Sequence, residues 1–227
     1  MKTFIIYNSI YPESVKNSKK CLQSFSGKAG WDPQLFDGCN PRNISEFETK
    51  YGIKTSDRTK HKPGTAKEDL ILSKKSCFYS HYDLWNKCVE IETPVAIVEH
   101  DTECISDYNL PTIDPNSKMA VQITTDSTLF NWQYYKTPYN YRIFEKNGEG
   151  MHRIFYVHAH GKKYMAGNTG YIITPAACQF LIEDCKANGW LQNDLLIHDE
   201  VFPLYYIRPS PIRYLKKREL RSSSRVL

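Results

Sequence analysis

Apolar positions along the chain switch between two periods. "TFIIY" at residues 3–7 is an unbroken β-rich run, and Val15, Ser18, Leu22 and Phe25 then recur at three- and four-residue steps, so a strand leads into a helix. "PQLFD" has an apolar centre closing on Asp37-Gly38, a turn pair. Residues 40–64 are polar, with "KTSDRTKHKPGT" reading as the chain's flexible loop. Thr65 and Glu68 form a capping box, each side chain placed to satisfy a free amide at a helix start. Behind it Leu70, Ile71, Cys77, Phe78, His81, Leu84, Trp85, Cys88 and Val89 repeat every three or four residues, the clearest helix in the chain. Glu92-Thr93-Pro94 ends it, and "VAIV" follows as a strand too uniformly apolar to have one wet face.

"MAVQITTD" is a further strand, closing on Asp126, and "IFYVHAH" and "YMAGNTGYIIT" read as strands around a glycine-bearing turn. Thr174 then caps a helix with Pro175 at its first position, Ala177, Phe180, Leu181 and Cys185 line one face, and Asn188-Gly189 stop it. Strands alternating with helices predict an α/β fold, a sheet flanked by helices. Between these elements, Trp132, Tyr134, Tyr135, Tyr139 and Tyr141 either stack on a sugar or base or pack as core and edge-strand residues.

Composition places this pattern in a globular class, with 41% hydrophobic and 13% aromatic residues. Seven cysteines, odd in number and without a C-x-x-C pair, argue for reduced thiols in a cytoplasmic setting and against a disulfide scaffold or zinc ribbon. No stretch approaches the roughly 20 apolar residues of a membrane span, and the first residues lack a signal-peptide pattern. The net charge of +5 is uneven: residues 208–227 hold seven Lys or Arg against one Glu, leaving the preceding 207 residues near neutral. The expected organisation is one domain over 1–207 and a basic C-terminal tail over 208–227.

Candidate chemistry starts at "PVAIVEHDTEC", where an apolar strand runs into Glu99, His100 and Asp101. Ligands of open α/β sheets sit beyond the carboxyl ends of strands. On an extended backbone Glu99 and Asp101 project to one side and His100 to the other. Two convergent carboxylates suit Mg²⁺ or Mn²⁺, which borrow further ligands from substrate phosphates; the plainer reading is a solvated strand end paired with lysines.

The ordered set of segments resembles glycosyltransferase family 25, which includes lipooligosaccharide and collagen galactosyltransferases. "FIIYNS" opens as the family's first strand, and "PQLFDGCNP" is similar to its segment ending in Asp-Gly. "SCFYSHYDLWNKCVE" resembles its helix with Ser-His before a bulky pair. "PVAIVEHDTECI" takes the place of its apolar strand ending in Glu-Asp-Asp, with His100 where the middle acid would stand. "AGNTGYIITPAACQFLIE" resembles its Gly-x-x-Gly-Tyr strand and following helix, and "LQNDLLI" stands where the family has a late Asp. The resemblance covers about residues 3–200.

It implies a GT-A-like nucleotide-binding mixed sheet flanked by helices, a nucleotide-sugar donor and transfer with inversion. It implies a Mn or Mg cofactor on Glu99 and Asp101, and Asp194 as general base with Asp199 and Glu200 as rivals. Ser80, His81 and Asn168 are candidate donor contacts, and Asn8 either contacts the nucleotide base or starts a turn. On spacing alone His81 reads as a hydrogen-bonded core histidine rather than a ligand, and the resemblance brings the donor wall level with it. The acceptor is a saccharide of lipopolysaccharide type or, by way of the basic Arg213, Lys216, Lys217 and Arg218, a hydroxymethylated DNA base. The same tail suits an anionic surface. A metal-dependent nuclease and an inactive nucleotide or nucleic-acid binding module compete with the transferase reading.

Overall fold

The structure, a computed structural model, describes residues 1–53, 68–124, 148–153, 165 and 169–215. Its elements in chain order are β1 (Lys2–Tyr7), α1 (Pro12–Ser24), β2 (Asp32–Asp37), α2 (Ile44–Tyr51), α3 (Glu68–Glu90), β3 (Val95–Glu99) and β4 (Thr102–Cys104). Then follow β5 (Ala120–Gln122), β6 (Gly150–Arg153), β7 (Gly170–Ile173), α4 (Pro175–Asn188), α5 (Asn193–Leu196), β8 (Leu204–Arg208) and β9 (Ile212–Tyr214). A seven-stranded sheet runs in the order β2-β1-β3-β7-β5-β8-β6, and β4 pairs with β9 in a small second sheet. β1 is parallel to β2 and β3, whereas β7 runs antiparallel to β3 and β5, so the sheet is mixed as expected.

Period-two alternation explains why the central strands are apolar throughout. Phe4, Val95, Ile97, Tyr171 and Ile173 point into one core cluster. Ile5, Ala96, Val98 and Ile172, their sequence neighbours, point into the other. The first cluster is closed by α3 and α4 through Phe78, Trp85, Ala177, Leu181 and Cys185, and the second by α1 through Cys21. Both faces of the central strands β3, β5 and β7 are covered, so Val95–Val98, Ala120–Gln122 and Gly170–Ile173 are buried, whereas the edge strand β2 leaves Leu35 exposed. Fully burying a side chain such as Phe78 or Leu84 contributes about 1.5–3 kcal/mol relative to leaving it exposed. α4 starts as its sequence requires: Thr174 Oγ1 accepts the Ala177 N–H at 3.3 Å, and Pro175 stands in the first turn.

Two regions depart from the expected organisation. The polar stretch from residue 40, given no element from the sequence, contains α2, whose Phe47 and Tyr51 pack on Tyr79 and Tyr82 of α3 with ring centroids 6.1 and 4.8 Å apart, while "KTSDRTKHKPGT" lies outside the described residues. Gly52 closes it at φ 59°, a left-handed geometry that favours glycine. The basic tail also begins later than residue 208. Arg208 ends β8, and β9 pairs with β4 while burying Ile212 completely. Counting charge obscured an apolar anchor, and the fold extends through Leu215. Thr65 of the capping box, Asp126, the aromatic residues Trp132 to Tyr141, "IFYVHAH", Gly167, Asn168, Lys216, Lys217, Arg218 and Arg221 lie outside the described residues.

Gly170 is fixed by close approach, because a Cβ there would sit 2.6 Å from Thr124 Cγ2 on the neighbouring chain segment. Gly170→Ala is therefore expected to destabilise the protein by about 1–3 kcal/mol, the usual cost of overpacking. Combining it with Thr124→Ser, which removes the offending methyl, should recover part of the loss. Urea denaturation of the single and double variants checks this; equal stability of Gly170→Ala and the parent would refute the packing argument.

Candidate functional site

β1 and β3 are parallel neighbours with Ile6 opposite Glu99, so their carboxyl ends open at one edge of the sheet. The His100 N–H donates to the Ile6 carbonyl at 3.0 Å, and the Gly38 N–H to the Tyr7 carbonyl at 2.8 Å, which fixes the loops beyond the strands. α3 crosses this edge. A cleft of about 160 Å³ is lined by Tyr7, Asn8, Cys77, His81, Glu99 and His100, among others. A second of about 210 Å³ is lined by Lys74, Cys77, Glu99, Thr169, Asn193 and Asp194. Cys77 and Glu99 stand between the two.

The backbone does not stay extended past Glu99. It turns at His100 and Asp101, with the Thr102 hydroxyl donating to the Glu99 carbonyl at 2.7 Å, and restarts as β4. This corrects the alternation expected from spacing, because Glu99 and His100 both face the first cleft. Asp101 lines neither cleft. Its backbone carbonyl accepts the Leu215 N–H at 2.9 Å, its carboxylate is bonded by Tyr214, and its Oδ1 is buried without a hydrogen-bond partner among the described residues.

The acids feel one another. Burial, and then the charge of Asp194, pushes Glu99 up to about 7. Burial and the charge of Glu99 push Asp101 up to about 7, against opposing contributions from His100 and Tyr214. Burial holds His100 below the usual imidazole range, with Asp101 opposing. Acids raised by burial and mutual repulsion, with an orphaned carboxylate oxygen, form an environment that a divalent cation would relieve. Glu99 and Asp101 therefore fit a hard cation by donor type and charge.

Buried His81 is oriented from behind. Its Nδ1 lies 2.8 Å from the Tyr171 hydroxyl, which also accepts the Trp85 indole N–H at 3.0 Å. Burial lowers His81 to about 3, so the ring is neutral. Its Nε2, buried and without a hydrogen bond among the described residues, faces Glu99 Oε1 at 3.8 Å. The Ser-His and Trp of α3 and the Gly-Tyr of β7, separate motifs in the sequence, thus meet at one phenolic oxygen. Tyr171→Phe would leave His81 Nδ1 and the Trp85 indole unsatisfied in the core. The expected cost is about 1–3 kcal/mol, measured by denaturant unfolding, and an unchanged midpoint would show that the hydroxyl is dispensable.

The remaining expected site residues are placed as follows. Ser80 touches the first cleft, but its hydroxyl donates to the Ser76 carbonyl at 2.8 Å and accepts the Cys39 N–H at 2.9 Å. Its geometry ties α3 to the segment after β2, where a Cβ on Gly38 would meet Ser80 Oγ at 2.6 Å. Asn8 lines the same cleft while its Oδ1 accepts the Ile10 N–H at 3.2 Å, an Asx turn after β1. Asp194, on α5, lines the second cleft. Arg213 pairs with Glu103 directly across the β4–β9 ladder. Cys77, Lys74 and Thr169 were not singled out from the sequence; the four-residue step from Cys77 to His81 was the available signal for the first of them.

The family model described as glycosyltransferase family 25 (LPS biosynthesis protein) matches residues 8–197, most of the chain, including α3, β3 and α5, which line the two clefts. The chain belongs to glycosyltransferase family 25. It is a glycosyltransferase, and the nuclease reading falls with that result. A comparison with curated proteins finds no match. Among solved structures, the chain is similar to galactosyltransferase LgtC in complex with donor and acceptor sugar analogs. That likeness has 10% identity and a TM-score of 0.42, over 95% of this chain and 87% of that one. Among the described residues, no helix is long and apolar enough to cross a membrane.

Proposed function

We propose that this glycosyltransferase moves a sugar from a nucleoside-diphosphate donor to a hydroxyl of a lipopolysaccharide-type saccharide, with inversion and with help from Mn²⁺ or Mg²⁺. One observation carries the reading: Glu99 lines two adjoining clefts, Asp194 lines the second with it, and Asp101 is near enough for the charge of Glu99 to raise it. Glu99 and Asp101 would hold the cation, which supplies neutralisation of the diphosphate leaving group. The first cleft, walled by Asn8, His81 and His100, takes the donor; the second brings the acceptor hydroxyl to Asp194, which accepts its proton as the new bond forms. The family description, an LPS biosynthesis protein, supports the saccharide acceptor. Arg213, engaged by Glu103, lends no support to a DNA acceptor.

The test is incubation with a panel of nucleotide sugars and saccharide acceptors, reading release of nucleoside diphosphate with and without Mn²⁺, Mg²⁺ and chelator. The reading expects cation-dependent release with one donor, accelerated by acceptor. Release that is indifferent to excess chelator would overturn the cation, and a product retaining the donor's anomeric configuration would overturn inversion.

A further inference from the structure

Cys77 and His81 are four residues apart on α3, so both project from one face of the helix toward the end of β3. There the thiol, the imidazole and the Glu99 carboxylate each offer one ligand atom within 4.8 Å of the other two. The His81 Nε2 to Glu99 Oε1 separation is 3.8 Å. A tetrahedral zinc site needs ligand atoms roughly 3.3–3.6 Å apart, given metal–ligand bonds of about 2.0–2.3 Å. Contraction by a few tenths of an ångström at the measured pair brings it into range.

The imidazole is already oriented for coordination. Tyr171 holds its Nδ1 at 2.8 Å, and the tautomer that donates Nδ1–H to the phenolic oxygen leaves the lone pair of Nε2, buried and without a hydrogen-bond partner among the described residues, aimed into the cluster. Cys77 Sγ lies 3.6 Å from Asn193 Oδ1, a weak thiol contact that a metal bond would replace. Both clefts reach Cys77 and Glu99, which gives an ion a path and leaves room for water as a fourth ligand.

We infer that Cys77, His81 and Glu99 form a zinc-binding site distinct in ligand chemistry from the Glu99–Asp101 pair. A thiolate and an imidazole select a borderline-soft ion, whereas the carboxylates of Glu99 and Asp101 suit Mg²⁺ or Mn²⁺. Binding converts Cys77 to its thiolate and releases one proton to solvent, so affinity rises with pH. Zinc occupancy also engages Glu99 and should exclude it from the cation used in transfer. That consequence rests on the proposed function, but the binding itself does not.

The test uses the full chain without donor or acceptor. Titration with Co²⁺ as a spectroscopic probe is expected to give a thiolate-to-cobalt charge-transfer band that saturates at one equivalent and is displaced by Zn²⁺. Cys77→Ser should abolish the band and weaken zinc binding by at least about 10–100-fold, the loss that even an outer-shell change brings. In the unaltered protein, Zn²⁺ should shield Cys77 from alkylation, read by peptide mass spectrometry, so the test holds even where the variant folds poorly. No band, a band retained in Cys77→Ser, or alkylation of Cys77 indifferent to Zn²⁺ would overturn the site. Failure of sugar transfer would not bear on it.

Discussion

Glu99→Gln is expected to lower the rate of sugar transfer by about 10²–10³-fold, the loss typical of removing one group that stabilises developing charge. The substitution keeps shape and hydrogen-bonding capacity but removes the charge facing Asp194 and Asp101. Fold stability at neutral pH should hold or rise, because a buried repulsion disappears. That pairing of a large kinetic loss with preserved stability separates a functional role from a packing role. Raising the Mn²⁺ concentration should recover part of the rate if Glu99 is a cation ligand.

Stability against pH gives an independent reading of the same residue. Glu99 titrates near its ordinary 4.5 in the unfolded chain and about 7 in the fold, so the folded state binds more protons between those values. Stability therefore falls as pH rises from about 4.5 to about 7, and levels off above. Asp101, raised in the same direction, adds to the slope. Glu99→Gln should flatten it, and saturating Mn²⁺ should do likewise by neutralising both carboxylates. A thermal melt series across this range, with and without the ion, measures it. An unchanged slope in the variant, together with full transfer activity, would remove Glu99 from the site.

Much of this arrangement was legible in the sequence because its signal is local. Buried runs such as Val95–Val98 and the period of α3 follow from where each side chain must point, and neighbouring residues suffice to read them. What escaped depends on partners distant along the chain. Ile44, Phe47 and Tyr51 carry helical spacing, but a short helix among polar residues gains its stability from Tyr79 and Tyr82 of another element. β9 hid inside a basic segment because its pairing partner, β4, lies 110 residues earlier by the Glu103–Arg213 contact. The turn at His100 was equally non-local, since it is held by Ile6 and by the β4–β9 pair as well as by Thr102. Spacing set Glu99, His100 and Asp101 together at the strand end, yet the turn decides which of them share a cleft.

Asp194→Asn should lower the turnover number by about 10²–10⁴-fold, the contribution of a positioned acid–base group, while donor affinity stays nearly unchanged. The asymmetry follows from timing. On the proposed mechanism the acceptor hydroxyl holds its proton in the ground state, and the Asp194 carboxylate would gain its advantage only as that proton transfers and the new bond to the anomeric carbon forms. In the proposed inverting transfer, the donor's bond to the diphosphate would break on the opposite face. Asn preserves size and one acceptor oxygen but cannot take the proton, so binding geometry survives and proton removal fails. Donor binding measured by calorimetry with Mn²⁺ present, set beside the turnover number under saturating substrates, separates the two effects. Asp194 adjoins Glu99 closely enough to raise its pKa, so the competing outcome is informative. If donor affinity collapses together with turnover, Asp194 serves the cation or the diphosphate, and Asp199 or Glu200, the other acids after α5, becomes the base to test.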